Sequence, residues 1–272
     1  MSKPIILYDL ARPGATSDSE QSWSGNTLRY ARTSLSFTHR TDNKPPSHRT
    51  RFALNIKGIP FCTEWVKFAD VESKIKSLGL EPSHDGLLAY TVPTIVDPST
   101  QRVITDSFAI TKYLDETYPD TPTLIPAGTG ALQSAFVDKV VRSIVLAAFA
   151  SLVGPVYEAG CFDEADRAHY RKTREAWFGG KPLEDIIKMG DEGMESGCKA
   201  YSDGLSEMAK YAEQAGGEGV FLSGQGPWFA DTAVAAALTF TLKACGREHP
   251  FSKAILEHEW ANKLLAAFDK WA

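Results

Sequence analysis

The sequence predicts an α/β domain followed by an all-α domain, on three observations. Strand and helix patterns alternate as far as residue 118, a proline- and glycine-bearing stretch follows over residues 119–130, and every strong pattern beyond it is helical. The domains are therefore set at residues 1–118 and 131–272, with 119–130 as a linker.

In order, "IILYDL" reads as a strand, "TRFALNIKG" from Thr50 as a helix, "FCTEWVKF" as a strand and "DVESKIKSLGL" as a helix. The runs "YTVPTIVD" and "QRVITD" are short, β-rich and separated by the turn residues "PST", which predicts a hairpin. In "DSFAITKYLDETYPD", Phe108, Ile110, Tyr113, Leu114 and Tyr118 fall close to one helical face, so the domain closes ββα. In the second half, "ALQSAFVDKVVRSIVLAAFASLV" predicts a helix ended by Gly154-Pro155, because proline removes a backbone donor and clashes with the preceding turn. Four more helical segments follow. They are "DEADRAHYRKTREAWF", a long "KPLEDIIKMGDEGMESGCKAYSDGLSEMAKYAEQA", "DTAVAAALTFTLKACG" and "PFSKAILEHEWANKLLAAFDKWA". The glycines of "AGGEGVFLSGQG" lack the strand-to-helix context of a phosphate cradle and read as a loop.

With 43% hydrophobic residues the chain can bury a sizeable core, and a net charge of −5 with a pI near 5.7 argues against nucleic acid or an anionic membrane as partner. The apolar run at the amino terminus is too short for the core of a signal peptide. No later segment is expected to reach the length that spans a bilayer, and the expected location is the cytoplasm. Cys62, Cys161, Cys198 and Cys245 form no CxxC pair, and the six histidines show no metal-ligand spacing, so no metal site is expected.

The chemistry-bearing constellation is an order of features. Val92-Pro93, an X-Pro bond able to adopt the cis form, precedes the hairpin, and Asp106-Ser107 opens the helix after it. Together with "WSGNT" after the first strand, "TRFALNIKGIPF", "TDSFAITKYLDETYPDTPTLIPAGT", "KTREAWFGGKPLEDI" and "FADTAVAAAL", the chain resembles the glutathione transferases. More narrowly, it resembles their fungal-specific class A type, related to bacterial lignin β-etherases. The resemblance implies a thioredoxin-like front domain that binds glutathione as co-substrate, an all-helical second domain, and a homodimer.

The implied activity is transfer of glutathione to hydrophobic, aromatic electrophiles, with β-etherase or peroxidase chemistry as variants. A non-catalytic carrier of aromatic ligands, or an inactive regulatory homologue, would use the same fold. A free cysteine thiol titrates near about 8.5, so the site must favour the thiolate, which a hydroxyl donor near a helix amino terminus does. Ser24 is the implied donor, with Asn26 or Thr27 as lesser candidates; a plain helix-cap role competes for Ser24 and Asn26. Val92 would pair its backbone with the cysteinyl unit beside cis Pro93, while Asp106 and Ser107 would hold the γ-glutamyl end. Candidates for the second-substrate pocket are Tyr157, Tyr170, Arg174, Trp177 and Phe178, against core packing for each taken singly. Trp228 stands where the relatives carry a capping serine or threonine, so that helix start is expected to be weaker by about 1 kcal/mol.

Residues 30–49 depart from the family's pattern. Deleting them joins Arg29 to Thr50 and leaves "SGNTLRTRFALNIKGIPF", a continuous match to the first helix. The segment carries Arg32, Arg40, Lys44 and Arg49 against Asp42 and includes Pro45-Pro46, which bars a simple helical continuation. Arg29-Tyr30, Thr41-Asp42 and His48-Arg49 can be encoded with donor, branch and acceptor signals of a short retained intron. The competing reading is a true inserted loop. Either way the expectation is an exposed, poorly ordered excursion that separates Ser24 from the helix body.

Overall fold

The computed structural model describes residues 3–11, 13, 48–82 and 89–271. The front half is a four-stranded mixed sheet in the order β2-β1-β3-β4, formed by β1 (Ile5–Leu10), β2 (Phe61–Val66), β3 (Thr94–Asp97) and β4 (Arg102–Thr105). The first pair is parallel, with Ile5 opposite Phe61, and β3 runs antiparallel to both β1 and β4, with Ile95 opposite Leu7 and Ile104. Alternation along β1 divides its side chains between two cores, as the two-residue period of a strand requires. Ile5 and Leu7 join Ile95 with Ala53 and Leu54 of α1 (His48–Lys57) and Ile110 and Leu114 of α3 (Ser107–Thr117). Tyr8 packs on the other face with Val66 and with Ile75 of α2 (Val71–Ser77). This is the thioredoxin-like arrangement predicted.

One boundary moves. The first helix begins at His48 and not at Thr50, so the last two residues of the segment read as foreign form its first turn. Residues 30–47 lie outside the described residues, as do Ser24, Asn26 and Thr27.

The face predicted on α3 is shared among three partners. Ile110, Tyr113 and Leu114 are buried on it, Phe108 meets Phe229 of the second domain with ring centroids 5.1 Å apart, and Tyr118 lies just past the helix end. The hydroxyls of Tyr113 and Tyr118 both donate to Asp97 Oδ2, at 2.7 and 2.6 Å. Burial pushes the Asp97 carboxyl up, but these hydroxyls and the Ser99 N–H prevail and hold it below the ordinary range. Asp115 then anchors the stretch after the helix: it accepts from buried Lys57 Nζ at 2.7 Å and from the N–H groups of Leu124 and Ile125.

The second half is helical, with α4 (Gly130–Phe136) running through a π-turn over Val137–Val141 into α5 (Arg142–Gly160). The predicted stop at Gly154-Pro155 is not observed. The helix continues because Val153 and Val156 on either side are 1% and 2% exposed, and their burial offsets the roughly 3 kcal/mol that an internal proline costs. The expectation about spanning length is also corrected: Gly130–Gly160 is long and apolar enough, by length and composition, to cross a membrane. In this fold the segment packs against the helices at Leu183–Glu192, Met194–Gln214 and Phe229–Cys245.

After α6 (Glu164–Trp177), the long predicted helix divides into α7 (Leu183–Glu192) and α8 (Met194–Gln214) at Gly193. The final pattern divides at His258 into α10 (Pro250–Glu257) and α11 (Glu259–Phe268), where an extended ψ of 114° breaks the helix. Between them α9 (Phe229–Cys245) runs through the core, with Ala233, Val234, Ala235 and Leu238 fully buried. Trp228, whose indole can only donate, supplies no acceptor at its start. Asp231 reaches back to accept from the N–H of Trp228 at 2.8 Å and of Leu222 at 2.7 Å, so the cap survives through the aspartate.

The two halves share a core. Phe52 meets Phe268 edge-on at 4.9 Å, Asn55 Nδ2 donates to the carbonyl of Trp271 at 2.7 Å, and the Phe229 N–H donates to the carbonyl of Leu124 at 2.9 Å.

Candidate active site

A cavity of about 410 Å³ opens between the halves, within the usual range of ligand pockets. Its front-domain wall is formed where the parallel strands end: Leu10 closes β1, Phe68 follows β2, and Thr91, Val92 and Pro93 lead into β3. The Val92-Pro93 bond is cis. Among the described residues none hydrogen-bonds to the backbone of Val92, whereas Thr91 O and Pro93 O are taken by threonine hydroxyls. The Val92 N–H and C=O are thus placed to pair with an added extended peptide. Ser107, the first residue of α3, also lines this wall.

Asp106 stands beside the cavity lining and serves as the helix cap. Its Oδ1 accepts from the N–H groups of Phe108 and Ala109 at 3.0 and 2.9 Å. Its backbone has φ of +76°, a left-handed value that costs a non-glycine residue on the order of 1–3 kcal/mol and that the capping bonds help to maintain. The cap reading of "DS" is therefore realised at Asp106.

The opposite wall belongs to α5, α6 and α9. Tyr170, Arg174 and Trp177 line it, together with His169, Phe149, Leu152, Val153, Val156 and Phe240. Tyr157 and Phe178, two of the predicted pocket residues, do not line it. Tyr157 backs Tyr170 at 6.0 Å and is covered by the Arg167 guanidinium, while Phe178 stacks on Phe149 at 5.6 Å. Both lie one layer behind the wall because α6 turns Tyr170, Arg174 and Trp177 inward at spacings of four and three residues.

Polar groups in the cavity have altered acidities. Burial lowers Arg174, with Tyr170 opposing, and burial lowers Arg49, with Asp106 and Asp138 opposing. Burial and then the charge of Arg174 lower His169, which keeps its imidazole neutral near pH 7. Among the described residues no group of three or more His, Cys, Asp or Glu side chains could hold a metal ion.

Several of these lining residues carried no functional signal in the sequence. Phe149, Leu152, Val153 and Val156 recur at helical spacing on α5, a pattern that also describes ordinary core. Leu10 and Phe68 were findable by position, since ligands of open α/β sheets gather at the carboxyl ends of the strands. Arg49 belongs to the segment that the sequence marks as inserted.

Comparison with known proteins adds to this geometry. Residues 45–117 match the glutathione S-transferase N-terminal domain and residues 131–271 the glutathione S-transferase C-terminal domain. The glutathione S-transferase-like protein ustS of Aspergillus flavus is 27% identical over 249 residues, 88% of this chain and 80% of that one. The crystal structure of glutathione transferase GSTFuA3 from Phanerochaete chrysosporium matches with a TM-score of 0.79 at 30% identity, over 100% of this chain and 98% of that one. That of the glutathione S-transferase CsGST63524 of Ceriporiopsis subvermispora, solved in complex with glutathione, matches with a TM-score of 0.80 at 30% identity, over 99% and 98%.

Proposed function

This chain belongs to the glutathione S-transferase family, and we propose that it joins glutathione through sulfur to hydrophobic, aromatic electrophiles. The observation that carries the reading is the cavity itself. One wall offers the open backbone of Val92 beside cis Pro93 and the start of α3, and the facing wall is aromatic. The tripeptide lies along the first wall, with Ser107 and the α3 backbone at its γ-glutamyl carboxylate and Asp106 at its amino group. Bound glutathione supplies a thiolate nucleophile. The Ser24 hydroxyl donates to that sulfur and lowers its pKa, with Asn26 beside it. Tyr170, Arg174 and Trp177 receive the electrophile.

The narrower placement in the fungal-specific class, with its β-etherase relatives, is supported by the fungal sources of the two similar crystal structures. We also place the homodimer, the cytoplasmic location and the domain division at residues 119–130 within this reading.

The test is glutathione-affinity retention followed by turnover of a panel of aromatic halides, ethers and hydroperoxides. Retention with turnover is expected, together with a fall in kcat of about 10²-fold in Ser24→Ala and a smaller change in glutathione KM. Binding of phenolic ligands without turnover, unchanged in Ser24→Ala, would assign the fold to carriage of aromatic ligands.

A further inference from the structure

Arg174 has an environment that the transfer reaction alone does not require. Its residue is 8% exposed, yet among the described residues no carboxylate lies within ion-pair distance of its guanidinium. The other arginines differ. Arg51 faces Asp9 at 3.6 Å, Arg167 faces Glu158 at 4.0 Å, and Arg171 is held by Glu175 and Glu184. Arg102, Arg142 and Arg247 are exposed to water, and Arg49 lies in the field of Asp106 and Asp138.

What surrounds Arg174 is aromatic. Its guanidinium carbon is 4.0 Å from the ring centroid of Tyr170, 4.3 Å from that of Trp177 and 5.8 Å from that of Phe68. One nitrogen donates to the Thr173 hydroxyl at 2.9 Å, and the Tyr170 hydroxyl is a second, neutral hydrogen-bond partner. Stacking on rings stabilises the cation through its faces and leaves the in-plane N–H donors to be satisfied elsewhere. A buried guanidinium without an acid partner is costly, and a carboxylate that accepts two parallel N–H bonds is the partner whose shape fits it. Around Arg174 the helical wall of the cavity is apolar and aromatic apart from His169, which is neutral near pH 7. Across the cavity stand a second cation, Arg49, in the field of Asp106 and Asp138, and one carboxylate, Glu72, which is engaged by Lys76 at 2.6 Å, so among the described residues no lining carboxylate serves Arg174 as counter-ion.

We propose that the second ligand of this cavity is an aromatic carboxylate, whose ring lies among Phe149, Trp177 and Phe240 and whose acid group pairs with Arg174. The inference rests on the glutathione-transferase reading for the tripeptide at the opposite wall, but its own test does not. Arg174 is here a specificity-determining residue that contacts the ligand.

The experiment is calorimetric titration of the full chain with 3,5-dinitrobenzoate and with its uncharged counterpart 3,5-dinitrobenzamide, each with and without saturating S-methylglutathione. The acid is expected to bind about tenfold or more tightly than the amide, because only the acid forms the charge-assisted pair. That preference is expected to vanish in Arg174→Met and to persist in reduced form in Arg174→Lys, which keeps the charge but not the bidentate fork. Equal affinity for acid and amide in the unmodified protein, or no binding of either, overturns the proposal without need of any variant. So does a preference that survives in Arg174→Met. If the acid and S-methylglutathione exclude one another, and Arg174→Met weakens S-methylglutathione by the same factor as the acid, Arg174 serves the tripeptide and the proposal falls. If S-methylglutathione gives no binding while the acid preference and its dependence on Arg174 remain, the glutathione reading fails and this one stands.

Discussion

At the residue scale, Asp231 and Asp115 contribute to stability through different interactions. Asp231 accepts two backbone N–H bonds that favour its ionised form, yet burial outweighs them and raises its pKa from 3.8 to about 7. In the unfolded chain the group ionises near its ordinary value, so between about pH 4 and 7 the folded state holds a proton that the unfolded state has lost. Its contribution to stability is complete below about pH 4 and is lost as the pH rises through 7, on the order of a few kcal/mol in all. Urea midpoints of the protein and of Asp231→Asn, followed from pH 4.5 to 8, should therefore diverge at the acid end, the variant lacking that decline. Parallel pH profiles would show that Asp231 is ionised throughout. Asp115, in contrast, is fixed by charge: the Lys57 ammonium it accepts from has no exposed side-chain surface. Asp115→Ala should cost about 3–5 kcal/mol, since it leaves that ammonium buried without its counter-charge, with the Pro122 carbonyl as its remaining acceptor at 2.9 Å. Adding Lys57→Met should recover much of the loss, and an additive double variant would refute the pairing as the source.

At the element scale, α5 and α7 approach so closely that only glycine fits between them. A Cβ on Gly190 would lie 2.6 Å from the carbonyl oxygen of Ala150, a backbone atom with nowhere to go, and Ser151 Oγ already donates to Gly190 O at 2.8 Å. Gly190→Ala is expected to lower stability by about 1–3 kcal/mol despite alanine's better helix propensity. An unchanged melting temperature would mean that the two helices can separate freely. Because α5 supplies Phe149, Leu152 and Val153 to the cavity, the same change should raise the KM of an aromatic substrate more than that of glutathione. Most elements were legible in the sequence because period and punctuation agreed. The strand character of β1, the hairpin turn and the helix α6 follow from side-chain pattern alone. The exceptions were decided by packing or by a single backbone angle. Pro155 is carried inside a helix by buried valines on both sides, and Gly193 and His258 break helices whose apolar period runs on undisturbed. At the site, the order Val92-Pro93, then Asp106-Ser107, was visible. The inward turn of Tyr170, Arg174 and Trp177, with Tyr157 and Phe178 left behind them, needed the crossing of α6 against Phe68 and α5, which no local pattern states.

At the scale of the whole molecule, the cavity exists only because the two halves share one core, and α1 is one of the elements through which they share it. Phe52 enters the helical core against Phe268, Asn55 binds the carbonyl of Trp271, and Arg49 in its first turn lines the cavity. The start of α1 therefore belongs to the site, and the long segment ahead of it bears on activity more than on stability. Loop closure rises only slowly with length, so eighteen or twenty additional residues cost the fold on the order of 1 kcal/mol or a little more. Placement of the Ser24 hydroxyl is far less tolerant, because misplacement by about 1 Å can cost 10²-fold in rate. Removing residues 30–49 takes away Arg49 but joins Arg29 to Thr50, so an arginine returns to the same helical position and Ser24 stands one turn before it. The shortened chain is expected to keep its melting temperature within a few degrees and to turn over glutathione at least about tenfold faster. Substituting Arg29 by methionine in the shortened chain should then reproduce whatever Arg49→Met does in the full one. Sequencing the mature message completes the comparison. If the segment is present in abundant transcript and the full chain is as active as the short one or more so, residues 30–49 are a working part of the enzyme, and the retained-intron reading is wrong.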